Sequence, residues 1–119
     1  MIESYSYTNT GNRETNEDYV LSKEIGENIS LHIVADGMGG YMAGDIASMT
    51  IAETMCQSLE HGADIKDAAT AANYALGKKK IELSVSKIGS TIAGVLLNES
   101  KADIFWCGDS RVYIFRAML

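Results

Sequence analysis

The chain has 119 residues, of which 46% are hydrophobic, with two cysteines, no proline and a formal net charge of −6. That is enough apolar material for one small domain with a core, which excludes a disordered chain, and the acidic balance argues against nucleic acid as the main partner. No apolar stretch is long enough to span a membrane, and Met1-Ile2-Glu3-Ser4-Tyr5 lacks the basic and apolar regions of a signal peptide, so a cytoplasmic protein without a membrane partner is expected.

In chain order, residues 2–8 alternate around Tyr5 and Tyr7 as a half-exposed strand does. Residues 18–23 read as a second short strand, followed by a turn over 24–28. Leu31 to Ala35 is apolar on nearly every residue and reads as a central strand. From Ala43 the period changes: Ala43, Ala47, Ile51, Met55 and Leu59 recur every four residues, which predicts an amphipathic helix ending at His61-Gly62. A second helix is predicted over 65–84, capped by Asp64, with Ile65, Ala68, Ala69, Ala72, Ala75 and Leu76 inward. Three strands close the chain, over 91–97, 102–107 and 111–115, joined by a hairpin at Asn98-Lys101 and a tight turn at Gly108-Asp109-Ser110. Strands grouped around a helix pair predict an α+β layered fold, in the order βββααβββ.

The single residues receive ordinary readings. Cys56 and Cys107 have no metal-pair spacing and read as reduced, buried thiols. Lys78-Lys79-Lys80 is a solvated helix face. His32 is expected to be packed or at an edge, and His61 to meet the last helix carbonyls. Phe105, Trp106 and Phe115 read as core or sheet-face aromatics.

Four motifs carry the chemistry. In Val34-Ala35-Asp36-Gly37-Met38-Gly39-Gly40, a carboxylate ends an apolar run and glycines let backbone or ligand approach it closely. A lone carboxylate there suits a hard cation such as Mg²⁺ or Mn²⁺, and it equally suits a strand-to-helix turn in which Asp36 caps the next helix. Phosphate-loop readings fail on residue identity: Gly39 and Gly44 have the P-loop spacing but Asp45 stands where the lysine is needed, and Met42 stands where a dinucleotide loop needs its third glycine. Arg13 precedes Glu17 and Asp18 by four and five residues; its planar fork suits phosphate and the acids suit metal-bound water, although a solvated surface loop has the same composition. Asp109 at the tip of its turn reads, on its own, as an Asx-type hairpin turn. Ile88-Gly89-Ser90-Thr91 alone is a helix-to-strand connection.

Taken together and in order, Arg-x-x-Asn-Glu-Asp, Val-Ala-Asp-Gly-Met-Gly-Gly, Gly-Ser-Thr and Gly-Asp-Ser-Arg resemble the bacterial metal-dependent protein phosphatases of type 2C, the PPM family. The resemblance implies part of a four-layer α-β-β-α sandwich of antiparallel sheets, and hydrolysis of phosphoserine and phosphothreonine with two Mn²⁺ or Mg²⁺ ions, with a third in some members. By position, Asp36 would bridge both metals, Gly37 would lend its carbonyl, and Arg13 would hold the substrate phosphate. Glu17 and Asp18 would bind metal waters, and Asp109 would hold the looser third metal. Met38 stands where many eukaryotic members carry a histidine.

Residues 1–119 correspond to the N-terminal part of a single such domain. Two further metal-binding aspartates, the remaining strands and a second helix pair belong to the half that follows in the family. The expectation is therefore an inactive or weak phosphatase chain, with a phosphoprotein as the substrate of the complete domain. A piece of a longer phosphatase, a shortened gene product and a chain that covers its core with a second copy, swapped or symmetric, all fit. The alternative is a non-catalytic, phosphatase-like binding or regulatory module.

Overall fold

The computed structural model describes residues 3–13, 15–40 and 43–116. Its elements are β1 (Asp18–Gly26), β2 (Ile29–Gly39), α1 (Gly44–Glu60), α2 (Ile65–Glu82), β3 (Ile88–Ser90), β4 (Ile92–Leu97) and β5 (Ala102–Cys107). The antiparallel strands lie in the order β1-β2-β4-β5, and β3 pairs with the far end of β2. The α1–α2 pair covers one face of this sheet. That is the expected α+β architecture, as one sheet with one helix layer.

Alternation in β2 decides which face is covered. Leu31, Ile33 and Ala35 are buried, whereas the alternate residues Val34 and Asp36 are exposed. Leu31 and Ile33 join Leu21 of β1 and Ala52, Met55, Cys56 and Leu59 of α1 in the core, and Ala68 and Ala72 of α2 complete it. The same register that buries Ile33 therefore turns Asp36 to the open face of the sheet.

The helices keep the predicted periodicity. Asp45 lies in the first turn of α1, favourable to the helix dipole, and accepts from the Ile46 N–H at 2.8 Å. His61 closes the helix, its Nδ1 donating to the Gln57 carbonyl at 2.7 Å. Asp64 caps α2 by accepting from the Asp67 N–H at 2.8 Å. The helix ends at Glu82, two residues before Ser84, whose φ of 55° is incompatible with helix. Ala69, expected inward, is exposed, because only the Ala68–Ala72–Leu76 line of α2 is buried.

Several strand expectations are corrected. β2 runs through Asp36 to Gly39 rather than stopping at Ala35, because Gly37, Met38 and Gly39 pair with Ser90, Gly89 and Ile88. The predicted connection at Ile88–Ser90 is therefore a strand. Among the described residues, neither 3–8 nor 111–115 is a strand; Ile2 lies outside them. An extended segment needs a partner backbone, and neither finds one. Ser6 instead lies over the open sheet face, its Oγ 3.4 Å from Ser22 Oγ. With no strand after it, Gly108-Asp109-Ser110 is a bend rather than a hairpin, with Gly108 at φ 101°.

Edge position explains the remaining misreadings. β5 is the outer strand, so Cys107 at its end is exposed although Cys56 is buried as expected. Phe105 packs against the core, while Trp106 is 68% exposed and Phe115, beyond the last strand, is 98% exposed. His32 lies between Ser30 and Ser22, its ring nitrogens 3.0 and 3.1 Å from their hydroxyls.

Candidate metal and phosphate site

β1 and β2 bring the first two carboxylates together. Asp18 opens β1 and lies directly across the ladder from Asp36. Directly opposed residues have neighbouring side chains, so two like charges share one place on the open face. Partial desolvation pushes the Asp36 carboxyl above the ordinary aspartate value, and the neighbouring Asp18 charge and its hydrogen bond push it further. Arg13 pulls it down, and Asp109, near enough to act through its charge, pushes it up. Asp36 is thus not a helix cap: it lies within a strand, and the N-cap of α1 is Ala43, which makes no side-chain cap bond.

Glycines set the floor of the site. The Gly37 N–H donates to the Glu17 carbonyl at 3.0 Å. A Cβ on Gly37 would run into the Gly44 carbonyl, so β2 crosses the start of α1 backbone against backbone. A Cβ on Gly44 would run into the Glu17 carboxylate. Glu17 therefore rests on the N-terminus of α1, where the helix dipole favours an anion. The same carboxylate takes an ion pair from Arg13 at 3.8 Å, and the Arg13 side chain remains 72% exposed.

The structure brings all six predicted residues to one end of the sheet: Asp36 and Asp18 face to face, Glu17 and Gly37 beneath the start of α1, Arg13 above Glu17, and Asp109 on the far bend. Beside Asp36 lies a cavity of about 450 Å³ lined by Tyr7, Asn9, Asp18, Ser110 and Arg111 among others. Tyr7 and Asn9 are held there by a 3.0 Å bond between the Asn9 amide and the Tyr7 hydroxyl, and Thr8 by a 2.8 Å bond from Asn16. Sequence reading missed Gly44, Thr91 and Ser110. Thr91 contacts both Asp36 and Ser110, and its signal was its place in Gly-Ser-Thr, whose role became visible only when β3 was seen to pair with β2.

The donors fit a hard divalent cation in kind, being carboxylates with a backbone carbonyl. They fall short in number: among the described residues, no three His, Cys, Asp or Glu side chains form a metal-sized group. The arrangement is one side of an oxygen-donor cation site, next to an arginine suited to phosphate.

That class agrees with known proteins. The protein phosphatase 2C family profile matches residues 7–117. A putative protein phosphatase 2C-type of Streptococcus pyogenes is 32% identical over 109 residues, which are 84% of this chain and 44% of that protein. Serine/threonine protein phosphatase PstP of Mycobacterium tuberculosis is 32% identical over 111 residues, 87% of this chain and 21% of that protein. The crystal structure of the Mycobacterium tuberculosis phosphatase PstP/Ppp superposes with a TM-score of 0.70 at 29% identity, covering 83% of this chain and 43% of that one. The serine/threonine phosphatase of S. agalactiae gives a TM-score of 0.59 at 26% identity, covering 76% and 41%. The chain belongs to the protein phosphatase 2C family. It spans less than half the length of each of these relatives.

Proposed function

We propose that the chain is the N-terminal part of a single metal-dependent phosphoserine/phosphothreonine phosphatase domain and contributes the phosphate-binding arginine and the bridging carboxylate to its active site. The observation that carries this is the opposed pair Asp18 and Asp36, with Asp36 raised above its ordinary value by its surroundings, within reach of Arg13. Two like charges held face to face on a sheet are costly alone and favourable around a cation.

Asp36, with the Gly37 carbonyl, would hold Mn²⁺ or Mg²⁺, and Asp18 and Glu17 would orient the water around it. Bound cations of this kind supply Lewis-acid activation of water at neutral pH and neutralise phosphoryl charge. The chain's own residues do the rest. A cation binds the ionised Asp36, whose proton its surroundings hold more tightly than usual, so binding should strengthen as pH rises. The Arg13 fork takes two phosphoryl oxygens, held in place by Glu17, which is fixed in turn on the start of α1. The cavity beside Asp36, with the Tyr7 and Asn9 side chains on its wall, would receive the residues flanking the phosphorylated serine or threonine of a protein substrate.

The exposed Arg13 guanidinium, paired with Glu17, also fits a second reading, a non-catalytic module that binds a phosphoprotein or partner. Hydrolysis of p-nitrophenyl phosphate separates the two. With Mn²⁺ the chain alone is expected to give negligible turnover. Joined to the following half of the domain it is expected to be active, and Asp36→Ala should lower that rate at least about 100-fold. A completed domain indifferent to Asp36→Ala would leave only the binding reading.

A further inference from the structure

Thr91 lies between β3 and β4 and is buried, 6% exposed. Its carbonyl accepts from the neighbouring Ser90 hydroxyl at 2.8 Å, and its other polar contacts reach the two segments that carry Asp36 and Asp109. Its N–H donates to the Asp36 carbonyl at 2.9 Å. Its hydroxyl accepts from the Asp36 N–H at 3.0 Å, so both backbone groups of Asp36 end on one residue. The same hydroxyl shares a hydrogen with Ser110 Oγ at 2.5 Å. Because Asp36 occupies a lone pair of that oxygen, its own proton is free to point at Ser110.

The methyl group is engaged as well. A Cβ on Gly108 would stand 2.8 Å from Thr91 Cγ2, so the Gly108 backbone lies directly on that methyl. Gly108 also holds φ 101°, which glycine adopts readily and other residues do not. Asp109 is thereby bracketed by two residues, Gly108 and Ser110, that both rest on Thr91. Serine would lose the methyl contact and valine the hydroxyl contacts; threonine alone supplies both.

We propose that Thr91 is a positioning residue of the site, which locks the Asp36 strand and the Asp109 bend together so that both carboxylates face one cation cluster. Its purpose rests on the phosphatase reading, whereas its geometry does not. Ser110 is the far end of the same device, and it links a strand inside the sheet to a bend that no strand pairing holds.

The test uses the ¹⁵N-labelled chain as wild type, Thr91→Val, Thr91→Ser and Ser110→Ala, read by amide hydrogen exchange and by Mn²⁺ titration. Thr91→Val should speed exchange of the Asp36 N–H about tenfold while Leu31 and Ile33 keep wild-type rates, and should shift the Asp109 resonance. Thr91→Ser should restore Asp36 protection. Ser110→Ala, which removes no sheet contact, should shift Asp109 and leave Asp36 exchange unchanged. In the Mn²⁺ titration, the wild-type Asp36 and Asp109 amides should broaden together, and in Thr91→Val and Ser110→Ala Asp109 should need at least about tenfold more Mn²⁺ than Asp36. Wild-type exchange at Asp36 in Thr91→Val, or equal acceleration along all of β2, would overturn the proposal. So would Mn²⁺ broadening of Asp109 and Asp36 in step in both variants. A wild-type chain whose amides Mn²⁺ never broadens would count against the phosphatase reading alone, and the exchange rates would still decide the role of Thr91.

Discussion

At the scale of residues, the site works against the fold. Asp36 is held opposite Asp18 at a raised pKa, so the folded state keeps its proton more tightly than the unfolded state does. The Asp36 charge therefore costs stability above its folded pKa, and that cost disappears as pH falls through it and below the unfolded value. Asp36→Asn should stabilise the metal-free chain at neutral pH by about a few tenths of a kcal/mol, read as a higher urea midpoint, since solvent screens an exposed pair. The gain should vanish in strong acid, where both carboxyls are protonated. A drop in the midpoint at neutral pH would contradict the repulsion. Gly37 makes a separate demand. A Cβ there meets the Gly44 carbonyl, which is backbone and cannot swing aside. Gly37→Ala should cost about 1–3 kcal/mol in urea unfolding. Gly44→Ala meets the flexible Glu17 side chain instead, and should cost less stability while disturbing the Arg13–Glu17 pair.

At the scale of elements, the helices were legible in the sequence and the ends of strands were not. The four-residue stripe of α1 and the Asp64 cap of α2 are local signals, and both appear as read. The cap makes a direct prediction: Asp64→Ala should cost about 1 kcal/mol in thermal or urea unfolding, because the Asp67 N–H loses its acceptor. Met55, 2% exposed in the core beneath Leu31 and Ile33, should cost about 2–5 kcal/mol as Met55→Ala. Strand pairing, by contrast, is a long-range fact. Gly37 to Gly39 looked like a turn because glycine usually breaks a strand, and only β3, some 50 residues later in sequence, makes them part of one. The alternation of residues 2–8 and 111–115 was read without a partner to satisfy it. The candidate site was legible for the same reason as the helices: Arg13, Glu17, Asp18, Asp36 and Asp109 sit in short ordered motifs. The contacts of Thr91 join residues 55 and 19 positions apart, so the Gly-Ser-Thr motif marks the residue in sequence and only the fold shows its partners.

At the scale of the whole molecule, the helix layer covers one face of the sheet and leaves the other largely open. Val34 and Trp106 lie exposed there, and residues 3–6 cross it without pairing. The radius of gyration, 14.9 Å, exceeds the roughly 13.5 Å of a compact chain of this length. An apolar sheet face of this kind seeks cover. Concentration-dependent sedimentation is expected of the chain, and Val34→Lys, in the middle of the open face, should reduce it. A wild-type chain that sediments as a monomer at every concentration would show that the terminal segments cover the face well enough. Asp36 is proposed as the cation ligand that this chain brings to a phosphatase site. Mapping Mn²⁺ by paramagnetic broadening of the ¹⁵N-labelled chain tests it most directly. Broadening should centre on residues 17–18 and 36–37 at high Mn²⁺ and be abolished by Asp36→Ala. Broadening centred elsewhere, or unchanged in Asp36→Ala, would contradict it.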